Sequence, residues 1–309
     1  MRVAIIGGTG FVGHYLVSEL IRQQHEPVLL VRPGSEGKAG QLPDDAIVSG
    51  TVDDPDAVEK LLQDADAVIY NIGILRETAS HGITFRHLQQ DAPIRVMDTA
   101  RSLGVKRFLL MSANGIDAQT TPYQRSKAAA EAQLMQSSLD WTIFRPSVIF
   151  GNPNGRNEFA SQLAHDIIDP PLPAPLFFPG LQPFAAGRFE LAPVHVEDVA
   201  RAFVNSLDRP DSIGKVYHLC GPEALSWKVL LTRIAAARGR RKLMLPVPAL
   251  GIAGVARLLE RFEFFPITRD QITMLLQGNI GSDSHLRDLG IEPATFDCVN
   301  LQYLKPDGP

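Results

Sequence analysis

The stretch Val3-Ala4-Ile5-Ile6-Gly7-Gly8-Thr9-Gly10-Phe11-Val12-Gly13 decides the fold. A short apolar run, Val3–Ile6, leads into glycines at Gly7, Gly10 and Gly13, and an amphipathic pattern begins at Phe11. A chain that leaves a buried strand, turns sharply, passes close to a diphosphate and enters a helix packed on a sheet needs glycine at those points. The helix N-terminus then faces the phosphates. The glycine pattern alone is weak evidence; its place after a strand and before a helix is what gives it meaning. Residues Gly7, Thr9, Gly10, Phe11, Val12 and Gly13 are therefore candidates for holding a dinucleotide.

The same alternation continues beyond it. Apolar runs rich in β-branched or aromatic residues recur at Val28–Val31, Ala67–Tyr70, Phe108–Met111 and Trp141–Phe144. Continuous runs of that kind suit strands covered on both faces. Helical patterns lie between them at Phe11–Gln24, Asp56–Leu62, Ile94–Leu103 and Tyr123–Ser137. Strand and helix in turn imply βαβ units, so the expected fold class is α/β with a doubly wound parallel Rossmann sheet. The expected domains are residues 1–151 for the nucleotide, then a smaller, interleaved C-terminal α+β cap over 152–309, with 194–221 returning to the core.

The cap pattern is less regular. The Pro- and Phe-rich stretch Asn152–Pro193 reads as long connections, because prolines at that density oppose helix interiors and central strands. Beyond it His195–Leu207, Trp227–Ala237, Pro246–Phe262 and Thr268–Gln277 read as helices and Lys215–Leu219 as a strand. Phe177, Phe178, Phe184 and Phe189 line an apolar pocket or form core under a long loop. The Leu243–Phe262 segment reads as an amphipathic helix, with a membrane-surface or quinone-facing helix as the lesser alternative.

Composition limits the partners. With 309 residues and a formal net charge of −4, the chain has material for a large core and no basic surplus for nucleic acid. The short cluster Arg238–Lys242 reads as a solvated helix end, and Glu158, His165 and Asp166 as a solvated face without metal-ligand spacing. Cys220 and Cys298 match no metal or redox spacing and read as reduced, packed thiols. Met1 leads straight into the first strand and no apolar run reaches the length of a membrane span. The expectation is a cytoplasmic protein, with peripheral contact to the inner membrane as an open alternative, and no metal.

Two further features bear on chemistry. Where the second strand ends, an acid would accept ribose hydroxyls, whereas an arginine pairs with a 2′-phosphate. Arg32 stands there, which favours NADP(H) and leaves NAD(H) possible; a solvated strand-end charge is the plain alternative. Ser112 closes the fifth strand, and Tyr123 and Lys127 follow four residues apart, on one helical face. A lysine beside a phenol favours the phenolate, so Tyr123 is expected to have a lowered pKa and to act as acid or base near neutral pH.

Ser112, Tyr123 and Lys127, in that order behind the glycine loop, resemble the catalytic residues of the short-chain dehydrogenase/reductase superfamily. The resemblance implies that Lys127 also binds the nicotinamide ribose. It implies that Asn71, Ile72 and Gly73 form a loop beside the adenine-side ribose, that Pro146, Ser147 and Val148 line the nicotinamide, and that His195–Ala200 returns the chain from the cap. The adenine segment departs from the family pattern: Gly50 is followed by Thr51, Val52 and Asp53, so the adenine contact comes from Thr51 or Asp53 or is absent. Thr9–Gly13, Asn71–Leu75, Ser126–Glu131 and Pro266–Ile272 are similar to bacterial relatives of the nucleotide-binding accessory subunit of respiratory complex I. That resemblance implies a partner in a respiratory complex or in the quinone pathway, with a nucleotide that is structural. The Ser/Tyr/Lys set implies instead a reductase or epimerase-like enzyme with a small-molecule substrate; a sugar-nucleotide epimerase or dehydratase is the third reading.

Overall fold

The computed structural model describes residues 1–40, 42–178, 180, 182–248 and 268–306. The chain divides into two compact units. The first comprises Met1–Pro146, Val196–Leu219 and Ser284–Glu292, and the second Ser147–His195, Cys220–Asp283 and Pro293–Pro309.

The first unit is built on β1 (Arg2–Ile6), β2 (Glu26–Val31), β3 (Ile47–Ser49), β4 (Ala67–Tyr70), β5 (Arg107–Met111) and β6 (Asp140–Pro146), with Lys215–Leu219 as a seventh strand. All pairings are parallel, and in space the order runs Lys215–Leu219, β6, β5, β4, β1, β2, β3. Sequence order reverses at β1, which pairs with β2 on one side and β4 on the other. The carboxyl ends of β1 and β4 therefore border the switch point where ligands bind in open α/β sheets. Val3, Ala4, Ile5 and Ile6 are buried to within 1%. Helices on both faces leave no solvated side, which is why this strand shows no polar alternation.

Helix α1 (Phe11–Arg22) follows β1 and has Gly10 as an N-cap without a side-chain hydrogen bond. Its Leu16 and Leu20 are fully buried, and Gln23 Nε2 donates to Asn205 Oδ1 at 2.8 Å, tying it to helix Val196–Leu207. Helix α2 (Pro55–Leu62) starts on an Asp54 cap with Pro55 at the first position, where the missing N–H costs nothing. Helix α3 (Ala92–Ser102) is preceded by a π-helical turn, Arg86–Asp91. Helix α4 (Pro122–Met135) opens with a reciprocal capping box between Thr121 and Gln124, which fixes where its first turn begins.

The second unit has a core around Trp227, Phe150, Phe177 and Phe296, each no more than 1% exposed. Trp227 stacks near Phe177 and Phe189 and donates through Nε1 to Pro175 O at 2.9 Å. Phe177, Phe178 and Phe189 thus belong to packed core or its margin, whereas Phe184 is 70% exposed. The Pro-rich stretch is more structured than expected. It holds helix Phe159–Leu163, a π-helical turn at Ala164–Ile168 and strand Ala174–Phe178, because the prolines cluster outside the helix and the strand carrying Pro175 has only one partner, Met244–Pro248, among the described residues.

Other expectations need correction. Glu158 is no solvated face: it is 4% exposed and caps its helix, accepting from Ala160 N and Ser161 N at 2.7 Å each. The Arg238–Lys242 cluster is not simply solvated, since Arg238 clamps Asp169 and Lys242 donates to the carbonyl of Ile168 at 2.9 Å. Cys298 is exposed, while Cys220 is buried. The residues Pro246–Pro248 are strand rather than helix start, and the remainder of the expected Pro246–Phe262 helix lies outside the described residues.

Candidate active site

The glycine loop is shaped by close backbone approach. Gly7 has φ +92°, and a Cβ there would stand 2.8 Å from Asn71 O at the end of β4. A Cβ on Gly13 would stand 2.2 Å from Gly7 O and 2.7 Å from Gly8 Cα. Gly10 is different: only Gly7 O comes within 4 Å of its Cβ position, at 3.5 Å, and the residue is exposed. Two glycines therefore let the chain pack on itself, and Gly10 leaves the outer side open. The first turn of α1 has neither a side-chain cap nor an acid, so its amide N–H groups and the positive end of its dipole suit an anion. A diphosphate fits that cradle.

At the end of β2, Arg32 is exposed and its carbonyl accepts from Ser35 N at 2.9 Å. Glu36, the nearest acid, turns back to accept from Gly34 N at 3.1 Å. On the adenine side, Thr51 Oγ1 accepts from Asp53 N at 3.2 Å, and Val52 is buried. The Asp53 carboxylate meets His87 Nε2 at 2.9 Å and Arg95 at 2.7 Å. Sequence gives no sign of His87 and Arg95, because the π-helical turn between them removes the regular helical spacing that could have linked them.

Lys127 is the node of the site. It is 2% exposed, and its Nζ donates to Met111 O at 2.8 Å and Ile72 O at 3.1 Å. The two bonds join α4 to the end of β5, one residue before Ser112, and to the Asn71–Gly73 loop after β4. Asn71 N donates to Ile6 O at 2.8 Å, and Gly73 has open space at its Cβ position. Gln89, 1% exposed, reinforces this junction: its Nε2 donates to Ile74 O at 2.7 Å and its Oε1 accepts from Ser126 Oγ at 3.2 Å.

Ser112 is 3% exposed, and its Oγ is a buried side-chain oxygen without a hydrogen-bond partner. A buried hydroxyl left unsatisfied costs about 1–3 kcal/mol, so the site carries an unmet polar demand where a ligand oxygen would satisfy it. Tyr123 lies one turn before Lys127, with its ring edge against Phe85 at 5.7 Å. Its acidity differs from expectation. Burial pushes the Tyr123 phenol up to about 12 and the Lys127 ammonium down to about 8. Loss of hydration is the cause of the Tyr123 shift, and the hydrogen bonds of Lys127 go to two backbone carbonyls. Tyr123 is a protonated phenol at neutral pH.

Farther along α4, Glu131 receives a bidentate grip from Arg145 of β6, at 2.6 Å from Nη2 and 3.0 Å from Nε. The Pro146 carbonyl accepts from Asn114 N at 2.9 Å. Ser147 and Val148 belong to the second unit, where Ser147 Oγ donates to Asn279 O at 3.0 Å and Val148 O accepts from Val194 N at 3.0 Å. His195 lies there too, edge-on to Phe150 at 5.1 Å. Among the described residues, no three His, Cys, Asp or Glu side chains are grouped to hold a metal, and no helix is long and apolar enough to cross a membrane.

A parallel sheet with order reversal at β1 and a glycine cradle at that point define a Rossmann-type fold with a place for a nucleotide. The chain belongs to the NAD(P)H-binding family, whose model matches residues 7–166. It is 26% identical to the NADH dehydrogenase [ubiquinone] 1 alpha subcomplex subunit 9, mitochondrial, of Rattus norvegicus, over 97% of this chain and 79% of that protein. It is 25% identical to a ceramide reductase of Caulobacter vibrioides over 84% of this chain and 77% of the other. The fold is shared with the UDP-glucose 4-epimerase of Thermus thermophilus in complex with NAD, at a TM-score of 0.73 and 19% identity, covering 98% of this chain and 97% of that one.

Proposed function

We propose that the chain is an NADPH-dependent oxidoreductase that reduces the carbonyl group of a small-molecule substrate. The observation that carries this reading is the unpartnered Ser112 hydroxyl, buried one residue beyond the carbonyl that Lys127 holds. Bound NADPH would supply a hydride to the carbonyl carbon. Ser112 Oγ donates a hydrogen bond to the carbonyl oxygen and orients it. Tyr123, a phenol at neutral pH, gives its proton to that oxygen as the C–H bond forms. Lys127, with two N–H groups on backbone carbonyls, has a third for a ribose hydroxyl. Gly7, Thr9, Gly10, Phe11, Val12 and Gly13 hold the diphosphate, and Arg32 favours the 2′-phosphate of NADPH over NADH. Thr51, Val52, Asn71, Ile72 and Gly73 border the adenosine half, and Pro146, Ser147 and Val148 the nicotinamide. In this reading residues 1–151 serve the nucleotide, and residues 152–309, apart from 194–221, the substrate. A cytoplasmic location, with or without peripheral contact to the inner membrane, fits the same picture.

A second reading draws on the relative in Rattus norvegicus, whose name places it in NADH dehydrogenase and which matches along 97% of this chain. Here NADPH is a resident ligand, and the protein docks on a respiratory or quinone-pathway assembly. One experiment separates the two. NADPH oxidation is followed across a panel of aldehydes, ketones and quinones with the wild-type chain and with Tyr123→Phe. The oxidoreductase reading expects turnover on one class, and loss of at least about a hundredfold in the variant with NADPH binding retained. Tight binding with no oxidation of NADPH by any member of the panel rejects it in favour of the resident-ligand reading.

A further inference from the structure

Helix α4 carries a further ionisable group in line with the proposed chemistry. Tyr123, Lys127 and Glu131 are spaced by four residues and share one face. Glu131 is 2% exposed, and the grip on its carboxylate comes from β6. Arg145 Nε lies 3.0 and 3.2 Å from the two carboxylate oxygens, and Arg145 Nη2 2.6 Å from one of them. The remaining arm, Nη1, meets Asp117 Oδ2 at 3.0 Å, on the turn before α4. His218, the register partner of Arg145 on strand Lys215–Leu219, contacts Asn114 Oδ1 at 2.9 Å.

These groups bear on Lys127 because its own contacts are all neutral. Its ammonium is held by two carbonyl oxygens and by no carboxylate at ion-pair distance among the described residues. A buried ammonium in that setting tends to lose its proton unless negative charge is nearby. Glu131 lies one turn beyond Lys127, and Glu131, Arg145 and Asp117 together carry formal charges of −1, +1 and −1, one net negative charge in the cluster. The neighbouring His218 is pulled toward its neutral form by burial and by Arg145, so it adds no opposing positive charge at neutral pH.

We propose that Glu131, gripped by Arg145, is a positioning residue that keeps Lys127 an ammonium in the neutral range. The role in turnover rests on the reading of Lys127 given above; the charge effect does not. It is therefore tested on the nucleotide-free protein. Lysine is labelled with carbon-13 at the ε position, the Lys127 signal is identified by its loss in Lys127→Met, and its chemical shift is followed against pH. The wild-type chain is expected to titrate near pH 8. In Glu131→Gln the midpoint falls by about one pH unit, and Glu131→Asp restores most of the loss, because charge rather than shape is responsible. An unchanged midpoint in Glu131→Gln overturns the proposal. Should that variant not fold, Asp117→Asn, altering a largely exposed residue, must shift the midpoint in the same direction by a smaller amount, and no movement there overturns it equally. NADPH binding measured over the same pH range keeps the two ideas apart. If Glu131 moves the Lys127 midpoint but NADPH affinity ignores it, the cofactor role of Lys127 fails and the charge effect stands.

Discussion

Replacing Gly13 by alanine adds one methyl group at the tightest point of the glycine loop. That methyl would lie 2.2 Å from Gly7 O and 2.7 Å from both Gly8 C and Gly8 Cα, all backbone atoms that no rotamer change can move. Ordinary contact begins at 3.4 Å, so the loop and the first turn of α1 must part by about 1.2 Å (3.4 − 2.2). Alanine at a helical position would otherwise gain ~0.5–1 kcal/mol over glycine, while overpacking of this kind costs ~1–3 kcal/mol, leaving a net loss of roughly 1 kcal/mol. The effect on nucleotide is larger. A displacement of that size breaks one or two amide hydrogen bonds to a charged phosphate, each worth ~1.5–3 kcal/mol, so affinity falls roughly ten- to a hundredfold or more. Fluorescence titration with NADPH measures the affinity, and denaturant unfolding the stability. Gly37→Ala is the control, since nothing lies within 4 Å of its Cβ position and its φ is not positive; it should leave NADPH affinity unchanged and hold or slightly raise stability. Wild-type NADPH affinity in Gly13→Ala would refute the argument that this loop cradles the diphosphate.

Two other substitutions probe different parts of the account. Arg32→Asp should weaken NADPH binding by at least about tenfold and leave NADH binding nearly unaltered, because only the 2′-phosphate loses a cationic partner; parallel titrations decide, and equal losses reject the assignment. Trp227→Ala removes a 1% exposed indole, its stacking with Phe177 and Phe189 and its bond to Pro175 O, and should cost ~3–5 kcal/mol by denaturant unfolding. A loss below about 1 kcal/mol would mean that the second unit is not organised around it.

The elements legible in sequence are those whose residues repeat a pattern over a full turn or strand. Lys215–Leu219 and Trp227–Ala237 fall where periodicity puts them, and α1 starts at Phe11 as the glycine spacing requires. Strand β3 is invisible to such a reading because three residues, Ile47–Ser49, are too few to show alternation. The π-helical turn Arg86–Asp91 has no sequence signature, and it hides the meeting of Asp53, His87 and Arg95. In the site, the order Ser112, Tyr123, Lys127 is readable, but the partners of Lys127 are backbone carbonyls, which no side-chain pattern encodes. Glu131 and Arg145 stand 14 residues apart and meet only because α4 packs beside β6. The Tyr123 acidity departs from expectation for the same kind of reason. Sequence spacing reports the lysine one turn away; the desolvation that overrides it depends on what covers the ring.

The central claim is that the β1–α1 loop and the α4 face together hold one NADPH. A structure of the chain saturated with NADPH tests it most directly. The diphosphate is expected against the amide N–H groups of Gly10, Phe11 and Val12, the 2′-phosphate beside Arg32, and the nicotinamide ribose within hydrogen-bond reach of Lys127 Nζ. A saturated complex with the nucleotide elsewhere, or with Lys127 still bound only to Met111 O and Ile72 O and remote from the ribose, would contradict it.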